Sequence, residues 1–181
     1  MTNSSPSQRK VKVLVFCALL AAMSIVLGKY LAFNVGMFLR FSLENMPVIF
    51  AGVAFGPIAG ALVGTVADIA GSLMVGFEIN PLITVGAAAV GFVSGFYRYL
   101  PLGSAGILRL GVTVGAAHVV GSVIIKTLGL YWYYNTPLII LMLWRTLNYV
   151  IVGAIEWIVL YRLLENKSIK AQINSLRGKR Q

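Results

Sequence analysis

Apolar residues run along this chain in long blocks with few interruptions, and the blocks predict helices of membrane length. Six can be drawn, over about 11–33, 44–55, 57–76, 81–97, 108–130 and 137–164. A helix needs about 20 apolar residues to cross a bilayer, so the second block is too short to span upright. It is expected to be a tilted or broken helix shielded by its neighbours, with Phe55-Gly56-Pro57 as the hinge into the third. Broken helices are tolerated at membrane depth where they line a cavity. The expected fold is therefore an all-α membrane protein of six transmembrane helices, the second short or broken.

Composition agrees. Hydrophobic residues make up 59% of the 181 and charged residues 11%, with too little surface charge for a soluble domain. Residues 1–181 read as one transmembrane domain with basic tails at about 1–10 and 165–181. The first block exceeds a signal-peptide core and is read as a retained span. Cys17 is the sole cysteine, which rules out an internal disulfide.

The net charge of +10 is placed as a membrane protein places it, and no nucleic-acid partner is expected. With the N-terminus inside, the inner ends hold Arg9, Lys10, Lys12, Arg98, Arg109, Arg162, Lys167, Lys170, Arg177, Lys179 and Arg180. Only Lys29, Arg40, Lys126 and Arg145 fall in the outer half. Both termini are thus expected to be cytoplasmic. Glu44, Asp68 and Glu78 gather on the same outer side as the four cations. An ionisable group on a lipid-facing helix costs about 2.5–3.5 kcal/mol, so these side chains are expected to face protein or water.

Small residues recur at four-residue spacing, as Gly52/Gly56, Gly60/Gly64, Gly91/Gly95 and Gly111/Gly115, a pattern for close packing inside the bundle. Ala18 and Ala22 repeat it on the first span, where the face is open to another subunit. No G-x-x-x-x-G-K-[ST] loop is present, so the chain has no nucleotide site of its own. The single histidine, His118, has no metal-ligand partner at a usual spacing and is expected to be packed and hydrogen-bonded. Neither cofactor nor metal is expected, and no catalytic constellation is visible.

What remains is an outer pocket of charged and aromatic residues. The stretch KTLGLYWYYNTPL, Lys126 to Leu138, reads as a loop whose aromatics divide between a membrane belt and a stacking wall. Asp68 suits the N–H edge of a flat heteroaromatic ring, and Lys126, Arg145, Arg40 and Lys29 suit a carboxylate tail. Structural roles compete with these: an internal Arg145–Asp68 pair, and Glu44 capping the second helix or pairing with Arg40.

Two stretches, RFSLENMPVIFAGVAFGPIAGALVGTVADIAGSL and KTLGLYWYYNTPL with LWRTLNYVIVGAIEWIVLYRLL, give the whole chain a family likeness. It resembles the substrate-binding S components of energy-coupling-factor (ECF) vitamin transporters, and among them the folate type. The resemblance implies a six-helix bundle binding a vitamin near its outer face in a bacterial plasma membrane. It further implies assembly with a transmembrane T subunit and two cytoplasmic ATPases, docked through Ala18 and Ala22. The pterin would then stack on Trp132 with Asp68 or Asn80 at its edge, and its glutamate tail would meet Lys126, Arg145 or Arg40. Alternatives are another vitamin such as pantothenate or riboflavin, or a self-sufficient secondary transporter. The last would need coupling carboxylates along a through path, and the inner half offers only Glu156.

Overall fold

A computed structural model describes residues 6–35, 39–101, 106–134 and 137–177, apart from side chains next to the breaks, Arg40 among them. Helix α1 (Pro6–Ile25) runs on through a π-helical turn, Val26–Tyr30, into a short antiparallel hairpin of β1 (Phe33–Val35) and β2 (Leu39–Phe41). Helices α2 (Asn45–Phe55), α3 (Pro57–Met74) and α4 (Pro81–Ser94) follow, α4 tightening into a 3₁₀ turn over Gly95–Tyr99. Next, α5 (Gly106–Ala117) widens into a π-helical stretch, His118–Ile125, and continues as α6 (Lys126–Tyr134). The last membrane helix is α7 (Leu138–Glu165), and α8 (Lys167–Arg177) turns back along the end of the bundle.

Five of these helical stretches are long and apolar enough to cross a membrane, and α2 is the short sixth. The fold is a membrane bundle of six helices with a shortened second member. Pro47 sits in the first turn of α2, where its missing N–H costs no hydrogen bond. At the hinge, Gly56 takes φ 103°, a left-handed conformation that favours glycine, and Pro57 opens α3 at its first position.

Three elements depart from the sequence reading. The hairpin falls where the first apolar block was expected to end and the second had not begun. The stretch from Lys126, read as a loop although the fifth apolar block was drawn to about 130, is helical as far as Tyr134 and continuous with α5. Aromatic residues are only modest helix formers, but no glycine–proline break separates them from the preceding helix. The C-terminal tail is an amphipathic helix. Its Arg177 donates to the Val53 carbonyl at 2.7 Å and the Ala54 carbonyl at 2.5 Å, and Arg98 adds a bond to Ala54 at 3.1 Å. These guanidinium groups satisfy carbonyls that the C-terminal end of α2 leaves open.

The core is built on close helix contact. A Cβ placed on Gly91 would lie 2.0 Å from the Gly60 carbonyl oxygen, and one on Gly64 would lie 2.2 Å from that of Ala87. Backbones of α3 and α4 touch there, as small residues at four-residue spacing allow. Gly115 departs from the pattern and faces open space. Ile49, Val90, Leu110 and Leu160 fill the centre.

Candidate substrate-binding site

A cavity of about 760 Å³ lies where α1 ends, at the end of the bundle away from α8. Its size suits a small organic molecule. The hairpin side supplies Ser42 and Glu44, α3 supplies Asp68, the turn after α3 supplies Phe77, α6 supplies Lys126, and α7 supplies Arg145 and Tyr149. Four residues assigned from sequence, Asp68, Asn80, Lys126 and Arg145, therefore share one wall system, as does Lys29.

Each is held differently. The Lys126 side chain, on a residue only 5% exposed, meets Glu44 with Nζ to Oε1 at 3.3 Å. Glu44 thus turns to Lys126 and makes no side-chain cap for α2. On the neighbouring chain segment, Ser24 Oγ donates to the Glu44 carbonyl at 2.6 Å and anchors α1 to the start of α2. Asp68 Oδ2 accepts from Thr84 Oγ1 at 2.7 Å, which fixes the carboxylate while leaving Oδ1 for a further donor. Asn80 is the N-cap of α4: Oδ1 accepts from the N–H groups of Leu82 and Ile83, and Nδ2 donates to the Gly129 carbonyl at 3.2 Å. Its amide is largely occupied in holding the fold.

Arg145 makes no pair with Asp68. Its Nε and Nη2 donate to the Ser122 carbonyl at 3.3 and 3.0 Å, Nη2 also reaches the Tyr149 hydroxyl at 3.3 Å, and the guanidinium lies 5.5 Å from the Tyr149 ring centroid. Lys29 lies over the Phe77 ring at 5.5 Å. Among the described residues neither cation has a carboxylate within ion-pair distance. Asp68 and Glu78 line the same cavity and are likewise in no ion pair among the described residues. The recess therefore offers separate partners to the anionic and the N–H-bearing parts of a guest.

Trp132 is corrected. It is 80% exposed and does not line the cavity. Lys126 and Leu130 lie four residues apart on the inner face of α6, and Trp132, two residues beyond Leu130, projects from another side of the helix. Among the described residues, the rings that face the cavity are Phe77 and Tyr149, both missed from sequence. Tyr149 was accessible to the argument, since it stands one helical turn from Arg145. The strand β2 carries Arg40, whose side chain lies outside the described residues. Ala18 and Ala22 are both exposed on one face of α1. His118 is packed and hydrogen-bonded, with Nε2 2.6 Å from Glu156 Oε2.

A bundle of membrane helices enclosing a polar recess lined by charged side chains of both signs defines a membrane protein that binds a small solute. The chain belongs to the ECF transporter substrate-specific components, whose family model matches residues 12–164. It is therefore a multi-pass membrane protein from a family of transporter components.

Solved structures agree. A crystal structure of FolT bound with folic acid is similar at TM-score 0.68 and 25% identity, covering 84% of this chain and 92% of that one. An S component of a bacterial ECF transporter matches at TM-score 0.62 and 20% identity, over 86% and 96% of the two chains. The S component for biotin from an ECF-type ABC transporter matches at TM-score 0.66 and 18% identity, over 93% and 98%. The last two share the fold. No curated protein matches the chain in sequence.

Proposed function

We propose that the chain is the folate-binding S component of an ECF transporter in a bacterial plasma membrane. The observation that carries this reading is Arg145, which faces the cavity beside Lys29 with no carboxylate partner among the described residues. Folate bears a glutamate tail that matches those cations and a pterin whose N–H edge matches the open oxygen of Asp68. Phe77 and Tyr149 supply the rings that Trp132 does not. The likeness to FolT bound with folic acid supports the same choice. With the basic ends of the helices cytoplasmic, the cavity opens outward.

Binding to the purified chain tests it. Folic acid is expected to bind well below millimolar concentration in calorimetry, while riboflavin, pantothenate and biotin do not compete. Folic acid, folinate and methyl-folate all binding no better than millimolar would end the assignment. Arg145→Ala is expected to weaken folic acid binding by about 2–5 kcal/mol, since it leaves a buried carboxylate of the ligand unpaired.

Energy would come from partners, a T subunit and two ATPases, because the chain carries no phosphate-binding loop. The exposed Ala18/Ala22 face is the proposed contact with the T subunit. Ala18→Leu/Ala22→Leu should leave folic acid affinity within about two-fold while abolishing co-purification with the T subunit. Unchanged co-purification would move the contact elsewhere.

A further inference from the structure

Buried beneath the cavity is a pair that lines none of it. His118 is 3% exposed and Glu156 0%, and neither is among the residues facing the recess. His118 Nε2 stands 2.6 Å from Glu156 Oε2, and the other carboxylate oxygen, Oε1, is buried with no hydrogen-bond partner. Ionisable groups at membrane depth are costly, and bulky apolar side chains would hold two helices together as well. The pair therefore calls for a role beyond packing.

Its contacts point upward, toward the cavity. His118 Nδ1 lies 3.4 Å from Ser122 Oγ, and the imidazole stacks on the Tyr149 ring at 4.9 Å between centroids and 26° between planes. Ser122 and Tyr149 are the two residues that hold the Arg145 guanidinium, by the carbonyl of one and the hydroxyl and ring of the other. His118 thus touches both supports of the cation at the cavity wall. The helical spacing allows this: Arg145, Tyr149 and Glu156 fall at i, i+4 and i+11 on one face of α7, and His118 and Ser122 lie opposite on the π-helical stretch.

We propose that His118 and Glu156 form a positioning pair, which fixes Ser122 and Tyr149 and through them holds the Arg145 guanidinium in place for an anionic substrate. Glu156 orients the imidazole, as a carboxylate commonly orients a histidine ring. The imidazole in turn sets the rotamer of Tyr149 and the position of Ser122. Preorganisation of this kind raises affinity by removing the cost of ordering a long side chain on binding. The inference rests on the reading of the cavity as an anion-binding folate site.

Two readouts on the full-length purified chain test it, one of which needs no ligand. The first is the rate at which phenylglyoxal labels Arg145 in the ligand-free protein, followed by mass spectrometry. The second is folic acid affinity. His118→Phe/Glu156→Leu replaces the pair by apolar groups of similar bulk, a change that buried ion pairs commonly tolerate in stability. It is expected to melt near the parent, to label at Arg145 about five-fold faster, and to bind folic acid about ten-fold more weakly. His118→Asn keeps a polar side chain but removes the ring from Tyr149, and is expected to speed labelling similarly. Glu156→Gln retains an acceptor for the imidazole N–H and should restore near-parental behaviour in both readouts.

Coupling separates positioning from general destabilisation. On an Arg145→Ala background, the double substitution should cost less than about two-fold in further affinity, because its effect runs through Arg145. Parental labelling in both His118 variants, or an equal affinity loss with and without Arg145, would overturn the proposal. A parent chain that fails to bind folic acid would defeat the folate reading alone, and the labelling rates would still decide the role of the pair.

Discussion

Replacing Lys126 by methionine is expected to weaken folic acid binding by about 2–5 kcal/mol, comparable with the loss from Arg145→Ala. The substitution keeps an unbranched side chain one heavy atom shorter and removes its charge. Lys126 is 5% exposed, so little water is present to make good the missing ammonium. Glu44, now 3.3 Å from Nζ, would then lose this cation, and its carboxylate would repel the glutamate tail more strongly. A companion variant separates recognition from folding. Lys126→Met/Glu44→Gln removes both members of the pair and should recover thermal stability, because no lone charge is left buried. Folic acid affinity should stay low in it if Lys126 meets the ligand. Full recovery of affinity in the double variant would assign Lys126 to an internal ion pair and remove it from the site. Calorimetry on the three proteins, each checked for monodispersity and melting temperature, decides between these outcomes.

The bundle was legible in the chain because its signals are coarse and physical. Blocks of apolar residues, the shortness of the second, and Phe55-Gly56-Pro57 between the second and third follow from what a bilayer demands of a helix. The glycine pairs on α3 and α4 were readable for the same reason, since backbone contact leaves no room for a side chain. Cavity residues were legible as a set because charge is costly in lipid, so cations and carboxylates on one side must converge. Finer matters were not. Which face of α6 turns inward depends on the register of a helix whose crowded aromatics read as a loop, and so Trp132 was chosen where Leu130 and the distant Tyr149 take the wall. Asn80 stood out as a polar residue near the pocket, although Asn80-Pro81 ahead of an apolar run is also a helix-start signal. The bonds from Leu82 and Ile83 show that the cap takes up its Oδ1. The Lys126–Glu44 pair joins residues on separate helices, and no local pattern announces such a partner. For the same reason, Glu156 and His118 looked like isolated polar residues on two different spans until their helices were placed side by side.

Gly91→Val is expected to be the most damaging single substitution in the membrane core, lowering stability by about 3 kcal/mol or more. A Cβ at this position would stand 2.0 Å from the Gly60 oxygen and 2.2 Å from the Gly60 carbonyl carbon. Both are backbone atoms of α3, so no side chain can rotate away and the helices themselves must separate. The damage would reach the site. Asp68 is on α3 and Thr84 on α4, and their 2.7 Å hydrogen bond crosses the same interface one face of the cavity depends on. Folic acid affinity should therefore fall in whatever fraction still folds. Gly115→Ala is the matched control, since nothing lies within 4 Å of the point its new methyl would occupy and alanine is the better helix former. It should be neutral or gain up to about 1 kcal/mol. Thermal unfolding of both variants in the same detergent reads the contrast. A Gly91→Val protein that melts with the parent would mean that α3 and α4 are not in backbone contact, and the geometry placing Asp68 beside Thr84 would have to be redrawn.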